Sequence, residues 1–487
     1  MAISDSQYLA WLQKDGVRRV VLVEVQVYSG SSITTRYLSN SAYASFPSDT
    51  PANQPYDDLL LEIPRFSNSM SEAFGGASKP AFGDVVIDNS SGARDSWLND
   101  SWAGYPINIY LGDVSWAKSD FRLILSGITA DIQARDNASL IVKMRDKQDL
   151  LNKPVNSNLY TTGSAVGLPK PLCYGQCYQV EPILIDSATH KYQIHDGAIN
   201  GITTVYENGY TIPFTADLAN GCFTLPANPA GHITADCTGA KPSGTYITKV
   251  ADIALDLITR AGLSGSDISS TSLAAMNTLC PQTVGLFIKD RTNLLPALDE
   301  LVASVQGYYG FGRDGKFQMG RLSTPAGSPT LYLIADDIEQ YGVTVKTVSP
   351  PIKTYRMGYK QYYTILSDGV AGAVTETVRA DYLNEYRAVT ATNTVTGWPL
   401  AAEPELVGGN LAIQSEAQTE CNRRAALFSV PRKVLQVKAF TAPQRIELGQ
   451  EINITYPRYG LNNGVNGIVI GVSESPTSSR VDLEVWL

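Results

Sequence analysis

Charged residues are scarce in this chain. Only 17% of its 487 residues are Asp, Glu, Lys or Arg, against roughly 25% in ordinary soluble domains. Yet 44% are hydrophobic, which excludes an intrinsically disordered chain, rich in charge and poor in apolar residues. The Ala, Glu, Lys, Leu and Arg excess of a coiled coil is missing too. Basic charge is the scarcer sign: 38 Lys and Arg stand against 47 Asp and Glu, for a net −9. The basic footprint that grips phosphates is therefore absent at whole-chain level. No run of about 18 apolar residues exists, so no helix is expected to span a bilayer. The start, Met1-Ala2-Ile3-Ser4-Asp5, lacks a basic segment, and Gln13, Lys14 and Asp15 break the apolar stretch behind it. A secretory signal is not expected. Six cysteines are too few for a disulfide scaffold, and the reading is a protein made and kept in a reducing cytosol until assembled.

What is abundant is polar but uncharged. Tyr (26) outnumbers Phe (12) more than twofold, beside 40 Gly and 26 Pro. That is the composition of a β-rich protein with large contact surfaces, suited to permanent assembly. At roughly 150 residues per domain, the length alone suggests about three domains.

The pattern along the chain resolves four blocks. Residues 1–165 open with a short helical turn near residues 8–13. Val21, Val23, Val25 and Val27 then alternate with Leu22, Glu24 and Gln26, the period of a half-buried strand. Further strands are expected at 81–88, 107–111, 121–129 and 140–145, which together read as an antiparallel barrel or sandwich. Residues 166–245 form a β-rich insert, with Asn208-Gly209 and Asn220-Gly221 as turn chemistry. Residues 246–330 are α+β. Val250, Ile253, Ala254, Leu257, Ile258 and Ala261 recur at helical spacing with Gly262 behind them, and a second helix starts at Leu294 with Asn293 as N-cap. Residues 331–487 return to β, with strands at 343–348 and 354–366 and one helix at about 411–428 stopped by Pro431. The C-terminal strands echo the N-terminal ones: residues 107–112, 123–128 and 140–143 compare with 452–456, 468–472 and 481–485. Chance and duplication explain such an echo about equally well.

Motifs for chemistry are weak. Gly310-Phe311-Gly312-Arg313-Asp314-Gly315 matches the dinucleotide fingerprint, but a helix precedes it and a strand follows, the reverse of what pyrophosphate binding needs. A hairpin is the expectation. His190, His195 and His232 include no pair spaced for a zinc-binding helix, and no nucleophile elbow supports a serine triad. Glu403 with Glu405, and Asp336 with Asp337, read as solvated acids rather than glycosidase pairs. Cys173 and Cys177 have the one spacing compatible with metal or iron–sulfur ligation, and Cys222 and Cys237 complete a four-thiolate set in the same block. The alternatives are core thiols or a disulfide. Cys280 and Cys421 read as core or loop. No catalytic, cofactor or metal residue is expected, these four thiolates being the sole metal candidates. Lys353, Tyr355, Arg356, Tyr359, Lys360, Tyr362 and Tyr363 interleave bases with aromatics. With an acidic chain this reads as one face of a subunit interface rather than a nucleic-acid platform.

A family resemblance adds to this. It runs through Trp11-Leu12, residues 19–25, Arg36-Tyr37-Leu38-Ser39, Asp95-Ser96-Trp97-Leu98, Gly112-Asp113-Val114-Ser115-Trp116, residues 120–125, Arg145-Asp146-Lys147 and Leu151-Asn152-Lys153-Pro154. It continues in residues 192–197, 205–209, 221–225, 233–236, 285–292 and 315–322, and Gly358-Tyr359-Lys360. On these many modest motifs the chain resembles siphophage tail-tip or baseplate hub proteins. The resemblance implies a mainly β fold in which two tail-tube-like β-barrels flank a β-rich insert and a mixed α+β domain. It implies a non-enzymatic virion protein at the phage tail tip, synthesised in the bacterial host cytoplasm. It further implies a homotrimer joining the sixfold tail tube to the threefold tip and closing the DNA channel until infection. The implied partners are the distal tail protein, tail tip and fibre proteins and the tape measure protein, with phage DNA passing without sequence-specific binding. Smaller relatives carry an iron–sulfur cluster near where Cys173 falls, but this chain has one close cysteine pair, so no cofactor is expected. A hexameric distal tail ring protein, a cell-wall hydrolase and a carbohydrate-binding protein are the competing readings.

Overall fold

A computed structural model describes residues 2–14, 16–71, 74–441 and 445–487; Met1 and Asp15, used above to read the N-terminus, lie outside the described residues. The fold is mainly β, with three helices close together between residues 250 and 303. The chain starts in a helix, Asp5–Gln13, opened by a capping box between Ser4 and Gln7. Strand Arg19–Ser29 follows; one face is buried along its length and the other is covered over its first half, with Gln26 and Tyr28 exposed. Val21, Val23, Val25 and Val27 enter the main core, while Val20 and Leu22 pack on the other side against Tyr43, Tyr56 and Phe121. Glu24, on that second face, takes Lys118 Nζ at 3.0 Å and the Tyr56 hydroxyl at 2.6 Å. The expected alternation holds, with its polar side roofed by a loop.

Two sheets carry the ends of the chain, and five strands of each follow one plan. In the N-terminal unit the strands are, in chain order, Leu60–Glu62, Val85–Asp88, Pro106–Asp113, Arg122–Asp136 and Ser139–Arg145. In the C-terminal unit they are Ile338–Ser349, Arg432–Phe440, Glu451–Ile454, Val465–Glu474 and Arg480–Trp486. Both run laterally third, fourth, fifth, second, first. Every pairing is antiparallel in both. Both also carry a bulge on the fourth strand against the fifth, between Thr129 and Asp131 in one and Val469 and Gly471 in the other. Since bulges are specific features of a ladder rather than noise, this shared one fixes the alignment: Thr129 corresponds to Val469 and Asp131 to Gly471. The sequence echo selects the right third, fourth and fifth strands. It slips the fourth, where Ile128 rather than Leu123 corresponds to Ile468.

The expected closed barrels are not formed. Strands Tyr43–Ala44 and Leu60–Glu62 end the first sheet, Leu331–Leu333 and Ile338–Ser349 the second, and among the described residues no ladder joins either pair of ends. The physical reason is a shared core. Ile107, Ile109, Leu140 and Val142 of the first unit belong to the same contiguous apolar cluster as Val437, Ile452, Val469 and Leu483 of the second. Each sheet leaves its apolar side open to a common interior instead of curling to enclose its own. Fully burying such side chains stabilises by about 1.5–3 kcal/mol apiece.

The middle of the chain is built on strand Leu172–Val180, which pairs with Ile233–Ala240 on one side and Gly285–Ile288 on the other. It bends at Gly175, whose φ of +57° and 1.7 Å Cβ-position clearance to the Val284 carbonyl admit only glycine. Helices Val250–Arg260, Ser270–Leu279, Leu294–Ala303 and Gln414–Leu427 contribute to a second core. Gly262 takes the left-handed conformation expected behind the first, at φ +99°. Helix Ser270–Leu279 was not foreseen in the sequence pattern. The last helix begins at Gln414 rather than 411, because Asn410 and Ala412 run extended against residues 283–285.

Candidate functional site

The six cysteines are free and buried, and three of the four candidate thiolates converge. Cys177 lies opposite Cys237 in the ladder, and the Gly175 bend brings Cys173 Sγ within 3.3 Å of Cys237 Sγ. Cys177 Sγ donates to the Tyr174 carbonyl at 3.2 Å. Hydrogen bonds to its two neighbouring thiols, and burial, push the Cys173 thiol well above its ordinary range. Cys222 is not part of this group. It sits on strand Cys222–Thr224 of a separate four-stranded sheet, donating to the Asn220 carbonyl at 3.2 Å. Among the described residues no group of three or more His, Cys, Asp or Glu side chains is arranged to hold a metal ion. The trio packs with Val180, Ile194, Val205 and Phe223 in a small apolar core.

The histidines do not meet. His195 Nδ1 accepts the Cys173 amide at 3.0 Å, and burial drives its pKa down to about 4. His190 occupies a left-handed turn position, and His232 faces Glu181 at 3.8 Å. Of the acidic pairs, Glu403 is tied to Lys353 at 2.7 Å and Asp337 caps the Ile334 amide at 3.0 Å. The glycine-rich motif forms the expected hairpin between strands Gly307–Phe311 and Phe317–Arg321, with Gly315 at φ +70° in the turn.

The aromatics of the run turn inward, while Lys353 and Arg356 stay exposed. Tyr355, Tyr359 and Tyr362 are buried, and the strand that carries the first two, Thr354–Tyr359, packs on helix Gln414–Leu427. Beyond it the Tyr363 amide bonds the Tyr178 carbonyl at 3.1 Å, Lys360 lies over the Tyr178 ring at 4.7 Å, and the Tyr382 hydroxyl reaches the Gly209 carbonyl at 3.1 Å. The tyrosines of the run thus form a seam within one chain, joining the insert to residues 354–387, while Lys353 and Arg356 lie outside it, exposed. Composition marks an interface; it does not say whose.

A second seam joins the two repeated units, and no sequence signal announced it. Strand Phe66–Ser69, which follows the first strand of the N-terminal unit, leaves that unit and pairs with Gly471–Glu474 on the fourth strand of the C-terminal unit. Arg313, at the tip of the glycine-rich hairpin, locks it. Its guanidinium binds Glu474, Glu447 Oε1 at 2.5 Å and the Ile446 carbonyl at 2.8 Å, and lies 5.2 Å from the Phe66 ring centroid. Its own carbonyl accepts the Ser126 amide of the N-terminal unit at 2.8 Å. Burial raises the Glu447 pKa despite the neighbouring guanidinium. Arg313 is itself buried. This buried charged arrangement therefore fastens structure to structure.

No protein-family model matches the chain, and no curated protein matches it. Solved structures do. The chain is similar to a tail protein from Neisseria meningitidis at 9% identity and a TM-score of 0.41, over 96% of each chain. It is similar to a prophage tail protein from Listeria monocytogenes at 8% identity and a TM-score of 0.41, over 96% of this chain and 94% of that one. A chain of the native gene transfer agent virion matches at 13% identity and a TM-score of 0.44, over 67% of this chain and 85% of that one.

Proposed function

We propose that the chain is a structural virion protein, the trimeric hub at the distal end of a bacteriophage tail. The observation that carries this is the repeated topology. One chain holds two five-strand units of the same order, direction and bulge, so three chains supply six equivalent units. A threefold object built this way matches a sixfold tube on one face and a threefold tip on the other, as closed symmetric assembly requires. On this reading the hub closes the DNA channel until infection. Its neighbours are the distal tail protein, the tape measure protein and the tip and fibre proteins. The net charge of −9 suits a wall that DNA passes without being held. The role is mechanical, without catalysis, and the thiol trio serves as core packing.

The test is copy number and position in purified tails. Quantitative mass spectrometry against a tube protein of known stoichiometry should give three copies, and antibody labelling should mark the tail end opposite the capsid. Six copies would transfer the chain to the distal ring; absence from tails would end the reading.

A further inference from the structure

The shared five-strand plan of the two repeats differs at the outer side of the fourth strand. In the C-terminal unit the fourth strand has two partners on its outer side: Glu451–Ile454 covers its first half and Phe66–Ser69 its second. In the N-terminal unit Pro106–Asp113 covers residues 122–128, the first half of the fourth strand. Among the described residues the second half pairs only with the fifth strand. The shared bulge aligns Asp131, Ile132, Gln133 and Ala134 with Gly471, Val472, Ser473 and Glu474, the residues that Phe66–Ser69 covers. Burial follows the vacancy. Ile132 and Val472 are both buried, pointing into the core, but Asp131, Gln133 and Ala134 are exposed where Gly471 and Glu474 are buried.

The donor is also defined by equivalence. Phe66–Ser69 lies between the first and second strands of its unit, and the equivalent segment of the C-terminal unit is the insertion 350–431. Its strand Arg387–Thr392 continues into Asn393-Thr394-Val395-Thr396, a β-prone stretch with Thr394 and Thr396 exposed, ahead of an exposed Leu400. Within one chain the N-terminal unit lends a strand to the C-terminal unit. We propose that the edge Asp131–Ala134 accepts an extended strand from the insertion 350–431 of a second copy of this chain. Each copy then repeats across the subunit boundary the contact already made inside it. The contact is head-to-tail, which gives a closed ring when its rotation is a third of a turn, and its affinity comes from main-chain hydrogen bonds along the edge. The proposal rests on the self-assembly in the reading above and adds the surface that performs it.

The test attaches a cysteine-directed benzophenone to the full chain at Gln133→Cys, an exposed position whose change leaves the core untouched. Irradiation should link two copies, and peptide mapping should find the label on residues 350–431 of the other copy. Hydrogen exchange of the unsubstituted chain is the second reading: amides 131–134 should slow by about tenfold or more on concentration-driven assembly. A trimer whose label maps elsewhere, or whose amides 131–134 stay fast, overturns the edge and leaves the hub reading standing. A chain that stays monomeric at its highest soluble concentration overturns the edge proposal, whereas absence from tails bears on the hub reading alone.

Discussion

The two repeats share a strand order and a bulge, yet one is finished and the other is not. In the C-terminal unit the far end of the fourth strand is covered by Phe66–Ser69 and closed by a buried ion pair between Arg313 and Glu474. At the matching end of the N-terminal unit stand the exposed Gln133 and Ala134, and Arg135 pairs with Glu62 at 2.6 Å in the open. The same local topology thus supports a rigid seam in one place and an accessible edge in the other. What differs is the company each strand keeps, since an edge strand is a template until something covers it.

The largest expected effect breaks the finished end. Arg313→Leu removes the counter-charge that Arg313 supplies to Glu474 and Glu447 in the seam. Losing one partner of a buried ion pair costs about 3–5 kcal/mol, which urea unfolding of the full chain should register. Loss of the Phe66–Ser69 pairing should accompany it, seen as faster exchange of amides 471–474. A variant as stable as the parent would show that the seam is held by apolar contact alone.

Acid should separate the repeats from the insert. All three histidines lie between residues 190 and 232, and His195 is held neutral by burial, its pKa lowered from 6.5 to about 4. The unfolded chain binds a proton at pH 6.5 that the folded insert refuses until about pH 4. Stability is therefore full above pH 6.5 and falls by about 3 kcal/mol as the pH drops through that window. His195→Asn should flatten this slope in denaturant midpoints taken across the window. An unchanged slope would place the acid response on carboxylates.

Legibility in the sequence followed local periodicity. The valine alternation of residues 21–27, the helix before Gly262 and the Asp314-Gly315 hairpin each express a pattern within a few residues, and each is present. The repeat was half visible. Its third to fifth strands are contiguous in both units, but the first is only Leu60–Glu62 in one and is separated from the second by residues 350–431 in the other. No window spans that gap. The seams were misread or missed because partner identity is a tertiary fact. The tyrosines near residue 360 have the composition of any interface, and Phe66–Ser69 is too short and polar to announce a strand that changes sheets. The four-thiolate grouping failed in part for the same reason: shared membership of a β block does not place Cys222 on the sheet of the other three.

Gly315→Ala tests how tightly the hairpin must approach the N-terminal unit to hold the seam. Its φ of +70° penalises a side chain, and an added Cβ would come 2.7 Å from Ser126 Oγ. A cost of about 1–3 kcal/mol is expected by thermal unfolding, less than for Arg313→Leu because the ion pair survives. A cost equal to that of Arg313→Leu would mean that the backbone path, rather than the guanidinium, sets the seam.

The smallest effect belongs to the unfinished end, and its smallness is informative. Arg135 and Glu62 are both largely exposed, and exposed ion pairs of this kind contribute little because solvent and salt screen them. In the monomeric chain, Arg135→Ala should leave the urea midpoint where it was. A clear loss of stability would show that residues 131–136 are already fixed by contacts within the chain, and the difference between the repeats would then be one of sequence rather than of occupancy. An unchanged midpoint, together with fast exchange at 131–134 in the monomer, keeps this edge as the place where the N-terminal repeat lacks the partner that the C-terminal repeat has.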